Sequence, residues 1–195
     1  MFDLILPVYN SLHHARACLE SIFRSSSRPF HLYVLDDGSD ARTAEGLHEI
    51  LSRQAGGLYT LRRNPTNQGY LKTCNAGVAL GSQAYAVLIN SDTMVFPGYL
   101  ERLEEVFEGD PSIGVINPVS TWANWTRIPF PNGFHVVELA REIKSLSRGR
   151  PFDLYNASGF FFACRRRMLE GIGLFDECYH PGYWEESDLC MRALK

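Results

Sequence analysis

The apolar run Tyr85-Ala86-Val87-Leu88-Ile89 stops abruptly at Asn90-Ser91-Asp92, and this ending constrains the fold more than any other feature of the chain. Such a run fits a short buried strand. A carboxylate directly after it lies at the carboxyl edge of a sheet, where open α/β sheets bind their ligands. The segment Val34-Leu35-Asp36-Asp37-Gly38-Ser39 has the same arrangement upstream. Hard oxygen donors at such an edge suit Mg²⁺ or Mn²⁺ carrying a diphosphate. The two acidic edges together point to a site for a nucleoside diphosphate.

The rest of the chain alternates between the two periodicities. Strands are expected over 4–8, 30–35, 58–61, 84–89 and 113–116. Helices are expected over 11–24, 44–51, 70–80 and 97–107. The first helix carries Leu12, Ala15, Cys18, Leu19 and Ile22 on one stripe. Gly56-Gly57 breaks the second, Gly81 is a C-cap for the third, and Pro97 sits in the first turn of the fourth. This order specifies βαβ units and a three-layer α/β/α fold with a mostly parallel central sheet. After Pro118 the character changes. A long aromatic loop carries Trp122, Trp125 and Phe130, followed by a helix over 134–146, a strand over 159–164 and a helix over 166–171. Loops of that length are commonly functional. The reading is one domain, with residues 1–117 binding a nucleotide and residues 118–195 facing a second substrate.

Composition narrows the class. With 45% apolar and 21% charged residues the chain is globular, and its net charge of −3 argues against broad nucleic-acid binding. Only Arg165-Arg166-Arg167 offers a local basic patch. Five cysteines without a CxxC pair indicate neither zinc nor a disulfide framework, and read as buried, reduced thiols of a cytosolic protein. The apolar start, Met1 to Val8, is too short and lacks a basic region, so it does not read as a signal peptide. Residues 187–195 read as a helix still in progress, so a piece of a longer polypeptide is expected.

Four constellations carry candidate chemistry. In Asp36-Asp37-Gly38-Ser39-Asp40 a carboxylate can accept from a base imide or a ribose hydroxyl; equally, the segment can be a turn whose Ser39 or Asp40 caps the next helix. Asn67, Gly69 and Tyr70, with Lys72, Asn75 and Gly77 downstream, form a loop feeding a helix whose N–H groups can approach a phosphate or ribose, or simply a helix cap. Asp92 offers one metal ligand, with the Asn90 amide oxygen beside it. Glu185, Glu186 and Asp188 begin a helix next to Tyr183 and Trp184. The helix dipole favours acids there, and burial beside aromatic rings raises a carboxylate's basicity, as a general base requires. The six histidines show no metal spacing. His180, near the acidic cluster, is a candidate to line an acceptor pocket, and the other five read as surface or structural.

Taken in order, Ile5 to Asn10, Leu35 to Asp40, Asn67 to Gly77, Leu88 to Asp92, and Gly173 to Glu177 through Trp184 to Cys190 resemble the inverting family 2 glycosyltransferases of the GT-A fold, a Rossmann-like architecture. The resemblance implies a nucleotide-sugar site built by Pro7, Tyr9, Asn10, Asp36, Asp37, Asn67, Gly69, Lys72, Asn90 and Ser91. It implies Mg²⁺ or Mn²⁺ on Asp92, with Asn90 standing where the family's metal triplet has Asp. It puts Glu186 in the position of the base, with Glu185 and Asp188 as alternatives. Trp122, Trp125, Gly159, Phe160 and Trp184 fall on the acceptor side. The implied reaction moves a sugar from a UDP- or dTDP-sugar to a glycan or lipid-linked hydroxyl, in the cytoplasm, with peripheral membrane association as in many relatives. The wording is nearest to bacterial cell-surface glycan and rhamnosyl transferases. A non-catalytic sugar-nucleotide or glycan-binding module is the alternative. A nucleotidyltransferase fits less well, because Val8 to Leu12 lacks a glycine- and basic-rich loop.

Overall fold

The computed structural model describes residues 1–54, 58–123, 126–129, 133, 135–147 and 150–195. The expected Gly56-Gly57 break, Trp125 and Phe130 lie outside the described residues. Six strands form one sheet: β1 (Phe2–Val8), β2 (Phe30–Asp36), β3 (Tyr59–Arg63), β4 (Tyr85–Ile89), β5 (Val115–Ile116) and β6 (Phe161–Arg165), in the order β3-β2-β1-β4-β6-β5. The first four run parallel, whereas β6 pairs antiparallel with β4, and β5 antiparallel with β6. The strand expected over 113–116 shrinks to the pair in β5, and the one expected from Gly159 begins at Phe161.

Alternation along the central strands sorts the core into two layers. Phe2, Leu4, Leu6 and Val8 of β1 face α1 (Leu12–Ser25), α2 (Ala41–Ser52) and α4 (Tyr99–Gly109). Ile5 faces α3 (Tyr70–Leu80), and the same layer holds Leu169 of α6 (Arg166–Ile172) and Leu189 and Cys190 of α7 (Glu185–Ala193). The helix α5 (Val136–Ser147) buries none of its residues. Four cysteines are buried, but Cys178 is exposed, which corrects the expectation of uniform burial.

Local chemistry sets the boundaries. Asp40, not Ser39, caps α2, accepting from the Thr43 N–H at 2.7 Å, so the helix begins three residues before the expected start. Pro97 precedes α4 rather than entering it, because Gly98 takes the left-handed cap conformation at φ 90°. Gly81 does end α3, but without a left-handed φ. A Cβ there would lie 2.2 Å from Asp3 Oδ2, so close approach is what requires glycine.

That approach belongs to a buried ion pair. Arg166 Nη2 donates to Asp3 Oδ2 at 2.8 Å, and the same guanidinium donates to the carbonyls of Gln83 and Val78. Gln83 N–H also donates to Asp3 Oδ2 at 2.8 Å. Arg165 is equally committed, to the carbonyls of Ile113, Phe107 and Asp110, and Arg167 to that of Pro111. The triple arginine is therefore a clamp between the two halves of the chain and not a free basic patch. Removing one partner of a buried pair leaves the other charge uncompensated. Arg166→Met is expected to lower unfolding stability by about 3–5 kcal/mol, and Asp3→Asn in the same background to recover part of it, as read from urea midpoints.

Candidate functional site

At the carboxyl edge of β1, β2 and β4 lies a cavity of about 400 Å³. The chain leaves β1 through Pro7, Val8 and Tyr9, which form one wall. Asn10 and Ser11 then adopt left-handed φ of 56° and 53°, which turns the chain sharply into α1. Asn10 is spent on this turn: its N–H donates to Ser39 Oγ and its Oδ1 accepts from the Asp40 N–H, both at 2.9 Å. It fastens two loops and is not part of the cavity lining.

The two aspartates after β2 divide their work. Asp36 points away from the cavity, where its carboxylate takes Arg63 at 2.5 Å and the Ser39 N–H at 2.9 Å. Asp37 lines the cavity and is only 3% exposed. Its Oδ1 accepts from Asn64 Nδ2 at 2.7 Å and the Gln68 N–H at 2.9 Å, and its Oδ2 accepts from the Gly69 N–H at 2.9 Å. The N–H groups of Gln68 and Gly69 therefore hold Asp37. This corrects the expectation that they turn toward a phosphate. Asn67 and Gly69 still line the cavity, whereas Lys72 sits on the exposed side of α3, outside the lining.

Asn90, Ser91 and Asp92 form the wall beyond β4. Asp92 is exposed to the cavity, and Asn90 Oδ1 is buried without a hydrogen-bond partner. An orphaned buried oxygen is costly unless a ligand satisfies it. An orphaned amide oxygen and a nearby free carboxylate are hard donors of the kind Mg²⁺ and Mn²⁺ take. No group of three or more His, Cys, Asp or Glu side chains among the described residues is placed to hold an ion, so protein ligands alone do not complete a shell. Val8, Ser11, His14 and Thr73 also line the cavity without any sequence motif assigning them to it, and Tyr70 joins them from the motif that begins at Asn67. His14 reaches the cavity from the first turn of α1 and its Nε2 lies 3.1 Å from that of His13. No motif marked it, since its placement depends on the left-handed turn before it.

The acidic cluster approaches from the second half. Phe160 accepts from the Asn90 N–H at 2.9 Å and from Thr93 Oγ1 at 3.1 Å, which fixes residues 159–160 beside the end of β4. Asn117 braces the same segment through Ser158 and Phe161. Glu186 rests on Gly159, where a Cβ would lie 2.0 Å from Glu186 Oε1. Glu186 is absent from the cavity lining and stands behind the wall that Tyr70 forms. Burial withdraws the Glu186 carboxyl from water and raises its pKa from 4.5 to about 7, with repulsion from Glu185 adding to the shift.

The aromatic residues contribute little to that burial. Tyr183 and Trp184 are 85% and 71% exposed, so the expected desolvation by neighbouring rings gives way to desolvation by Gly159, Tyr70 and α3. Of the alternatives, Glu185 is buried with an unpartnered Oε2, and Asp188 is held by Arg192 Nε at 2.8 Å. Trp122 is 83% exposed beneath the Arg127 guanidinium, away from the cavity, and Trp125 lies outside the described residues. His180 packs against Gly69, 3.0 Å from where a Cβ would stand, at the rim between cavity and acidic cluster.

The sequence model for glycosyl transferase family 2 matches residues 3–173. The chain belongs to this family. An uncharacterised glycosyltransferase of Bacillus subtilis, YwdF, is 23% identical over 194 residues, covering 99% of this chain and 68% of that protein. One of Haemophilus influenzae is 28% identical over 116 residues, 60% of this chain and 37% of that protein. Among solved structures, a mannosyltransferase of Pyrobaculum calidifontis in complex with GDP-Man and Mn²⁺ superposes with a TM-score of 0.72 at 17% identity, over 98% of this chain and 51% of that one. S. aureus TarS in complex with UDP-GlcNAc gives 0.69 at 18% identity, over 98% and 52%. These likenesses establish the three-layer GT-A fold, and the chain spans about half the length of the solved structures.

The raised Glu186 pKa has a thermodynamic consequence. Between pH 4.5 and about 7 the folded chain holds a proton on this carboxyl that the unfolded chain has released. Stability contributed by this group therefore falls as pH rises through that window. Glu186→Gln is expected to flatten that part of the pH dependence, measured as urea midpoints at intervals from pH 4.5 to 7.5.

Proposed function

We propose that this chain transfers a sugar from a nucleoside-diphosphate sugar to an acceptor hydroxyl with inversion at the anomeric carbon. The observation that carries this reading is the convergence at one sheet edge of Asp37, Asn90 and Asp92 on a cavity and of Glu186 behind Gly159 and Tyr70. Pro7, Tyr9 and Asp37 hold the nucleoside, while Asn90 and Ser91 face the diphosphate. The Pyrobaculum neighbour is in complex with GDP-Man and Mn²⁺, which supports a divalent ion here too, with Asp92 and the orphaned Asn90 oxygen as its protein ligands. Such an ion neutralises charge on the departing diphosphate when bound.

Glu186 takes the proton of the acceptor hydroxyl. The acceptor oxygen bonds to the anomeric carbon as the bond to the diphosphate breaks, and the electron pair leaves with the diphosphate. A base with a pKa near 7 is well matched to that task. A single displacement with no nucleophile on the protein inverts the configuration. The acceptor is a glycan or lipid-linked hydroxyl, approached from the side of Gly159 and Phe160. Among the described residues no helix is long and apolar enough to cross a membrane.

Two experiments test the reading. In a thermal-shift panel of UDP, GDP and dTDP with and without Mn²⁺, one nucleotide should raise the melting point only with metal, and Asp92→Ala should abolish the metal-dependent part. No shift with any pair would overturn the donor site. In turnover assays of the full-length protein, with release of nucleoside diphosphate as the readout, Glu186→Ala should lower kcat by about 100-fold or more with donor affinity within twofold of wild type. A wild-type protein that binds donor and never releases nucleoside diphosphate would favour the binding-module alternative.

A further inference from the structure

Tyr70 belongs to two neighbourhoods at once. It lines the donor cavity at the first turn of α3. Its hydroxyl points away from the cavity and donates to the Gly159 carbonyl at 3.1 Å, across a separation of 89 residues in the chain. Gly159 is the residue on which the Glu186 carboxylate rests, so closely that a Cβ there would overlap Oε1. Burial raises the Tyr70 phenol far above its ordinary pKa of 10, so this hydroxyl stays a donor at every working pH. The α3 surface beneath is otherwise apolar: Leu71, Cys74 and Val78 pack there, and the Cys74 thiol is buried and protonated.

We propose that Tyr70 is a positioning residue for the base: its hydroxyl fixes the Gly159 backbone, and through it the Glu186 carboxylate, from the wall of the donor cavity. The inference rests on Glu186 being the base. It adds a mechanical link that this assignment does not require. The Gly159 N–H stabilises the charged form of Glu186, opposing the effect of burial. The N–H and the carbonyl of Gly159 belong to successive peptide groups that meet at its Cα; Asn117 Nδ2 holds the first through the Ser158 carbonyl at 2.9 Å and Tyr70 holds the second, so the Cα against which the carboxylate packs is anchored from both sides. The donor-facing wall and the base are then two ends of one short hydrogen-bonded chain. A sub-ångström displacement of α3 at the cavity moves the base as well, and catalytic geometry is sensitive on that scale.

The titratable groups that face Glu186 are Glu185 on its own helix, Tyr70 and Cys74 from α3, and Cys190 one helical turn further on. Only Tyr70 connects to it through a backbone contact that a conservative change can sever. The test is a ¹³C NMR titration of the full chain labelled at glutamate carboxyls, with Glu186→Gln identifying the resonance. Tyr70→Phe removes the hydroxyl and keeps the ring. The Glu186 midpoint is expected to move upward by about 0.5–1 pH unit, the worth of one hydrogen bond. Gly159→Ala places a methyl on Oε1 and drives the carboxylate into water, so its midpoint should fall back toward that of an ordinary glutamate. Binding of UDP and GDP with Mn²⁺ is read alongside by thermal shift.

An unchanged midpoint in Tyr70→Phe overturns the proposal. So does an unchanged midpoint in Gly159→Ala, which also serves if the phenylalanine variant fails to fold. Loss of nucleotide binding in Tyr70→Phe with an unmoved Glu186 would make Tyr70 a donor contact instead. The titration needs neither donor nor acceptor. It can therefore fail while Glu186→Ala still abolishes turnover, and it can succeed while turnover survives in Glu186→Ala.

Discussion

The carboxylate of Asp37 holds the candidate site together. Its own N–H donates to the Val8 carbonyl at the end of β1, and its oxygens collect Asn64 and the N–H groups of Gln68 and Gly69. One side chain thus joins the ends of β1 and β2 to the loop that launches α3. Charged acceptors make the stronger class of hydrogen bond, and here they are shielded from water. A Cβ on Gly38 would sit 2.7 Å from the Asn67 backbone nitrogen, so the turn after β2 lies directly against that loop. Asp37 thus adds to the Asn64 N–H bond to the Asp36 carbonyl and to the packing of α3 on Ile5 in registering the wall that carries Asn67, Gly69 and Tyr70 against the sheet.

The second half of the chain reaches the same edge by a different device. β6 inserts antiparallel beside β4, so its start, and not its end, lies next to Asn90. The reversal is what delivers Gly159 and Phe160, and behind them Glu186, to the carboxyl edge of the parallel strands. The buried Asp3–Arg166 pair locks the opposite end of β6 against β1 and α3. A further staple lies between: Asn75 exchanges two hydrogen bonds with the Phe175 backbone, tying α3 to the segment that leads into α7. The acidic helix is therefore held at both ends of its approach, which is the rigidity a general base needs.

Sequence reasoning located the cavity walls better than it assigned individual atoms. Asp37, Asn67, Gly69, Asn90, Ser91 and Asp92 line the cavity because each follows a strand that ends there, and strand ends are legible as apolar runs giving way to polar residues. Asp36 and Asn10 were indistinguishable from their neighbours in the sequence; which of two adjacent polar residues faces a ligand depends on twist and turn handedness. The same limit conceals His14 and Thr73, whose residue types are ordinary in a helix. Adjacency in sequence suggests Tyr183 and Trp184 as the groups that desolvate Glu186, but both rings face solvent.

The sequence by itself determined the alternation of strand and helix, the parallel character of β1 to β4, the family, and the two acidic edges. These follow from local periodicity and from motifs read along one strand or one turn. Only the tertiary structure decided that Arg165-Arg166-Arg167 is a clamp, that Gly69 serves Asp37, and that Glu186 meets the cavity wall through Gly159 and Tyr70. Each of these joins residues that are far apart in the chain, and a contact of that kind is set by how layers pack, which no single segment encodes.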